Sequence, residues 1–502
     1  MTRSALLLPL LLLLSPDLEA AITPQRGNPE KEQVAEARKQ INLHTEEGIF
    51  QANEICMRLQ NEEATALLLE VLDWTGNYGL SAAHYRDVAW AGLTQIESRE
   101  AREAVVEALK AARKNPLARM WLARLVGLWG EAELAENLEK LLGDRDVGVK
   151  REAAQAMGRL RHVEAARKLE RMMKDKDYVV RGNAHEALAR IDPEEYREAF
   201  LEGLADDEGS VRCALLGAVQ ELYPEDAEAW SAAALDDEDW RPRLQAIDNL
   251  GGTRTLSAVD ALIRSVDDPR PLLGRRAVEH LRALTGMKWS KQPQWESWWG
   301  ENREGFEFPE GKSAAEEEQA DPERTEATWN RIPIISDHVL FLVDRSLRME
   351  DRLNEKGKSK AAAAFDELSG ALERLEGRLT FNIHAYNEEI EVYSKKPVPL
   401  DARSRKKALT FMEDADTGGD KDLWAALVQA LEDPEIDTIY LLTSGEPEVG
   451  LYVHGNRISE FLAELNRFQK VTVHAVAYSP QGFWHHISQI AAVTGGEFQG
   501  FQ

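Results

Sequence analysis

"DRDVGVKREAA" (144–154) decides how most of this chain folds. The same plan returns in "DKDYVVRGNAHEAL" (175–188), "DDEGSVRCALLGAV" (206–219), "DDEDWRPRLQAIDNL" (236–250) and "DDPRPLLGRRAVEHL" (267–281). Counted from Asp144, Asp175, Asp206, Asp236 and Asp267, the spacings are 31, 31, 30 and 31. The aspartate of each turn is expected to cap a helix by accepting bonds from free backbone amides. Val149, Val180 and Val211 share one register, and a basic residue follows each. Ala154, Ala184 and Ala214 let helices approach closely. A second apolar stretch ("AARKLERMM", "EAFLEGLA", "VDALIRSV") completes a helical pair. One pair cannot bury its own apolar face, whereas stacked pairs can. The period therefore predicts a right-handed α-solenoid with local contacts.

The D-x-x-V-R-x-x-A spacing resembles HEAT repeats, particularly the short bacterial class. The resemblance covers about residues 60–300, with less regular units at 60–143, and it implies a fold more than a function. Residues 21–60 read as a helical N-terminal cap, and 61–306 as the solenoid. Its far end, "LTGMKWSKQPQWESWWGENREGF" (284–306), gathers Trp289, Trp295, Trp298 and Trp299. Exposed solenoid ends need capping, so this cluster is expected to plug the array rather than bind a ligand. It resembles the endings of HEAT arrays in exported bacterial proteins.

Residues 307–332 lack apolar periodicity and read as an acidic linker that lets two domains move independently. From 333 the period changes. Apolar strands ("HVLFLVD", "RLTFNIHAYN", "IDTIYLLTSG", "VTVHAVAYS") alternate with helices ("KSKAAAAFDELSGALERLE", "DLWAALVQALED", "RISEFLAELNRFQ", "GFWHHISQIAAVTGG"). That alternation predicts an α/β domain with a mostly parallel sheet covered on both faces. Ligands of such sheets bind at the carboxyl ends of the strands.

Three loops at that edge arrive in the order used by von Willebrand factor A domains, and residues 333–502 resemble that family. The fold implied is Rossmann-like. The site implied is a metal-ion-dependent adhesion site, with D-x-S-x-S, a threonine after "GG" and an aspartate after the "LLT" strand. In this sequence the first loop carries Asp344, Ser346 and Arg348. The second, "DTGGDKDLWAAL", puts Asp420 at the threonine position. The third, "YLLTSGEP", puts Ser444 at the aspartate position. Mg2+ takes octahedral oxygen ligands, so Asp344, Ser346, Asp420 and Ser444 are the candidate donors for Mg2+ or Mn2+. Two readings follow. Either Arg348 swings outward and the ion binds, or its guanidinium pairs with Asp344 or Asp420 and replaces the ion.

The remaining observations bound the function. The formal charge is −27, which repels phosphate backbones and makes nucleic acid an unsuitable partner. Arg3, the apolar run 5–14 and the small residues of "SPDLEA" read as a signal peptide, residues 1–20, cleaved after Ala20. No later stretch is apolar for long enough to span a bilayer. Cys56 and Cys213 read as two buried free thiols. His485 and His486 read as surface residues, and His384 and His474 as satisfied core imidazoles. Nothing singles out a catalytic group. The expectation is a secreted or envelope-located, non-enzymatic protein that binds protein partners. Two alternatives stand beside it: a HEAT-like lyase acting on a chromophore, and an inert spacer.

Overall fold

The computed structural model describes residues 29–72, 82–112, 115–309, 327–353 and 357–501. The expected signal peptide and most of the expected linker lie outside these residues. Among the described residues the chain begins with α1 (Pro29–Ile41), α2 (Glu46–Leu59), α3 (Glu62–Leu72), α4 (Ala82–Thr94), α5 (Arg99–Ala111) and α6 (Pro116–Trp129). It continues with α7 (Ala135–Leu138), α8 (Val147–Leu160), α9 (Ala166–Met172), α10 (Tyr178–Ile191), α11 (Arg197–Leu204) and α12 (Gly209–Leu222). The array closes with α13 (Ala227–Ala234), α14 (Trp240–Gly251), α15 (Leu256–Arg264), α16 (Pro271–Thr285) and α17 (Gln292–Asn302). From α4 to α16 the even-numbered helices pack side by side as one layer. None of these helices is long and apolar enough to cross a membrane.

A charge ladder fixes the repeat. Arg119 pairs with Asp144, Lys150 with Asp175, Arg181 with Asp206, Arg212 with Asp237 and Arg243 with Asp268. These acceptors are 31 residues apart throughout, because in the last two turns the ladder residue is the second aspartate, Asp237 or Asp268, rather than Asp236 or Asp267. Each ladder aspartate also accepts the amide two residues on, at 2.8–3.0 Å. Helix capping falls to a later residue in α8, α10 and α14, and α12 and α16 have no side-chain cap. Asp146 caps α8 and Asp177 caps α10, each accepting the amide three residues on. The basic residue after each register valine is thus a strut to the next repeat. At the far end Trp295 and Trp299 are buried, and Trp299 Nε1 donates to Asp260 Oδ1 at 2.6 Å.

The second domain begins earlier than residue 333. A short ribbon, β1 (Thr328–Trp329) with β2 (Ile332–Pro333), buries Trp329 edge-on against Phe341 and Tyr440. The main strands are β3 (His338–Asp344), β4 (Thr380–Tyr386), β5 (Ile390–Val392), β6 (Val398–Pro399), β7 (Thr438–Thr443), β8 (Thr472–Tyr478) and β9 (Phe498–Phe501). Their order is β5-β4-β3-β7-β8-β9, parallel from β4 to β9, with β5 and β6 antiparallel to β4. The covering helices are α18 (Lys360–Arg374), α19 (Ala402–Asp414), α20 (Leu423–Leu431), α21 (Gly455–Gln469) and α22 (Trp484–Thr494). Helix α19 escapes sequence reading because it buries little besides Ala408 and Met412. Its start is written in Asp401 and Ser404, which cap it reciprocally.

The two domains are not independent. A single apolar core runs from Ala37 of the solenoid to Ala491 of α22. Helix α21 packs across the layer of even-numbered solenoid helices.

Candidate functional site

The rim lies at the carboxyl ends of β3 and β7. Asp344 ends β3 and is fully buried. Its Oδ1 accepts the Ser346 amide at 2.7 Å. Its Oδ2 accepts the Ser444 amide at 2.7 Å and the Ser444 hydroxyl at 2.6 Å. Ser346 Oγ and Ser444 Oγ lie 3.3 Å apart. Three of the four expected oxygen donors therefore meet. Asp420 does not join them: it is exposed, and its amide donates to Glu388 Oε1 at 3.0 Å.

Arg348 pairs with neither Asp344 nor Asp420, so of the two readings the one in which its guanidinium replaces the ion at those carboxylates does not hold. Its Nε reaches Glu448 Oε1 at 2.6 Å. Sequence reading missed two residues here, Lys421 and Glu448. Lys421 is fully buried, and its Nζ lies 3.0 Å from both Glu448 oxygens. Lys360 joins the group from the start of α18. Burial lowers its pKa, as do Lys421 and Arg348, while Asp351 and Asp344 oppose them. "GGDKDL" carried the lysine signal, but a lysine beside a loop reads as solvated until its burial is seen.

The seat of α21 is the larger site. Arg457, Glu460, Phe461, Glu464, Arg467 and Phe468 fall at helical spacing on one face. Successive inner helices meet them in order. From α4, Asp87 Oδ1 accepts Arg457 Nη1 at 2.8 Å, with both side chains buried. From α6, Arg124 reaches Glu460 at 3.2 Å and Glu464 at 3.8 Å. From α8, Gln155 and Arg159 bond Glu464 at 2.6 and 2.8 Å. From α10, Glu186 pairs with Arg467. From α14, Asp248 accepts Lys470 at 2.8 Å. Arg270, just before α16, reaches Asp437 at 2.9 Å.

Electrostatics follow this ladder. Burial works against the charge of Glu464, but Arg467, Arg124 and Arg159 pull it down to about 2. Burial likewise opposes the Arg124 charge, and Glu152, Glu464 and Glu460 outweigh it and raise its pKa. Arg457 is held below its ordinary value by burial. Its guanidinium lies over Trp90, Trp121 and Tyr452 at 4.6–4.7 Å, so ring faces take the place of polar partners.

Other sequence candidates resolve as follows. His486 is no ordinary surface residue, since it pairs with Glu446 and lies near His454. His474 Nδ1 accepts the Glu497 amide, whereas buried His384 Nδ1 finds no partner among the described residues. Both imidazoles are pushed down to about 4, mainly by burial. Cys56 and Cys213 are free and buried. Asp337, His338 and Asp437 bring ligand atoms within 4.8 Å of one another at the opposite end of the sheet. There Ser336, Thr438 and Arg270 already bond Asp437.

Comparison with known proteins bears on both halves. Residues 103–189 and 134–220 match the family model described as HEAT repeats. Over 165 residues the chain is 24% identical to human von Willebrand factor A domain-containing protein 3B. The chain folds as an α-solenoid with HEAT-repeat matches at 103–220, followed by an α/β domain similar to von Willebrand factor A domains. The human match takes in 32% of this chain and only 12% of the relative. Among solved structures, von Willebrand factor type A from Catenulispora acidiphila is similar at 19% identity, with a TM-score of 0.28. That alignment covers 34% of this chain and 40% of that one. The CpcE–CpcF complex of phycocyanin lyase from Nostoc sp. PCC7120 is 16% identical, with a TM-score of 0.28, over 54% of this chain and 98% of that one.

Proposed function

We propose that this is an exported, non-enzymatic protein that binds a protein partner through the rim loops of its second domain, without a metal ion. The observation that carries the reading is the seating of α21. The solenoid commits its inner face to its own second domain, so the surface offered outward is the rim. Leu347 is 58% exposed there, beside half-exposed Arg348. HEAT repeats and von Willebrand factor A domains are both interaction architectures, and the step from fold to partner is one of analogy.

The donor set does not suit a divalent cation. Both Asp344 oxygens already accept bonds, and Asp420 stands apart. An added dication would lie among Arg348, Lys360 and Lys421, where Mg2+, which dehydrates reluctantly, would meet repulsion. A Lys421–Glu448–Arg348 network does the neutralising instead. The acidic surface favours a basic partner.

The test is capture of partners from the exported fraction by the intact protein, by a Leu347→Asp variant, and by the intact protein with chelator. The reading expects capture to survive chelator and to fail with Leu347→Asp. Loss of capture on chelation would overturn the metal-free part. Equal capture by Leu347→Asp would overturn the rim.

A further inference from the structure

Titratable groups from several segments gather where the solenoid meets the start of α21. His84, Arg86 and Asp87 come from α4. His454 is the N-cap of α21, and Arg457 lies in its first turn. His485 and His486 come from α22, and Glu446 from the rim loop that follows β7. The His454 and His486 ring centroids are 4.9 Å apart, and those of His485 and His486 are 5.6 Å apart. His486 Nδ1 pairs with Glu446 Oε1. Asp87 Oδ2 accepts the amides of Val453 and His454, each at 2.8 Å. Arg86 Nη2 donates to the Gly450 carbonyl at 3.3 Å. The third rim loop is thus held against α4 by charged groups at its end, and against α6 by buried Tyr452, whose hydroxyl accepts Trp121 Nε1 at 3.1 Å.

With the imidazoles neutral, Arg86 and Arg457 balance Asp87 and Glu446. Each further proton is unmatched. His454 is the worst placed to carry one. It stands at the positive end of the α21 dipole. His486 and His84 face it from α22 and α4, and Arg457 lies one turn away. Burial lowers its pKa, and His486 adds to that, against the pull of Asp87 and Glu446. The sign follows directly. A histidine with a lowered pKa binds fewer protons in the closed form than in the open one. Closure is therefore favoured at higher pH and weakens as pH falls below about 6.5, the ordinary histidine value.

We propose that this histidine cluster is a proton-operated clasp: charging it parts α4 from the start of α21 and frees the rim loop at 445–453 from the solenoid. The clasp is a property of the junction and stands whether or not the rim binds a partner.

Hydrogen exchange on the full chain tests it. Amides of Val453 and His454, bonded to Asp87 in the closed form, are followed at about pH 7.5 and about pH 5.5, corrected for intrinsic exchange. The expected result is acceleration by about tenfold or more at the lower pH, with β7 and α12 unchanged. A variant carrying His84→Gln, His454→Gln and His486→Gln should stay slow at both. The clasp is overturned by any of three results: no acceleration in the parent, equal acceleration in the triple variant, or acceleration spread evenly through β7 and α12. If circular dichroism finds the triple variant unfolded, His454→Asn, which puts a favourable N-cap residue at that position, takes its place. Its opening must then move to lower pH, and an unmoved midpoint rejects the clasp.

Discussion

Replacing Asp87 by alanine should undock the domains while leaving each folded. Asp87 Oδ1 holds Arg457 Nη1, and Oδ2 holds the amides of Val453 and His454, all at 2.8 Å. The ion pair is almost fully buried, with 3% and 1% of its side chains exposed. Arg457 Nε and Nη2 already lack hydrogen-bond partners among the described residues. Asp87→Ala therefore strands a buried guanidinium, a change that costs about 3–5 kcal/mol. At about 4 kcal/mol the junction opens roughly a thousandfold more often. Native-state hydrogen exchange reads that number at the α21 amides, with β7 amides as the internal reference. The opposite truncation, Arg457→Met, should be milder, about 1–2 kcal/mol, because Asp87 keeps two amide donors and the methionine still fills the ring cage. The double variant should recover much of the Asp87→Ala loss. The reasoning fails if Asp87→Ala costs under about 1 kcal/mol, or if β7 loosens as much as α21.

Three further outcomes are expected. A Cβ on Gly182 would stand 2.6 Å from the Phe468 ring, so Gly182→Leu should weaken docking by about 2 kcal/mol despite leucine's better helix propensity; a stabilised α21 by hydrogen exchange would contradict this. Calorimetric titration with Mg2+ or Mn2+ should give no binding heat for the parent or for Arg348→Ser, because buried Lys421 remains beside Glu448 in both; a saturable isotherm for either refutes the rim assignment. Glu464 is held down to about 2, so its contribution is present above about pH 4.5, its unfolded value, and is lost as pH falls toward 2; Glu464→Gln should flatten the acid limb of a denaturation profile, and an unchanged limb counts against the ladder.

Much of the fold is legible in the sequence. The 31-residue period specifies stacked helix pairs because each pair has an apolar face that only its neighbours can cover. Apolar strands ending at Asp344 and Thr443 specify a parallel sheet, since both of its faces must be buried. Capping and struts are harder to separate. Asp144 and Asp146 are the same residue type two positions apart, and only coordinates assign one to the ladder and the other to the cap. The rim is half legible. Asp344, Ser346 and Ser444 come from loops whose order announces them, whereas Lys421 and Glu448 matter through burial. The docking of α21 was present in "RISEFLAELNRF" as Arg, Glu and Phe at helical spacing. A charged stripe of that kind reads as a solvated face, and its partners lie some 280–370 residues away in α4 to α10. Pairings at that range leave no local pattern.

Zero-length carbodiimide cross-linking of the native chain tests the central claim most directly. Lys470 Nζ and Asp248 Oδ2 belong to different domains and lie 2.8 Å apart, each about a fifth to a quarter exposed. Lys168 and Glu139, also 2.8 Å apart within the solenoid, serve as the reference pair. A docked α21 predicts a Lys470–Asp248 amide, read by mass spectrometry, in yield comparable to the reference. Formation of the Lys168–Glu139 link without the Lys470–Asp248 link would contradict the account.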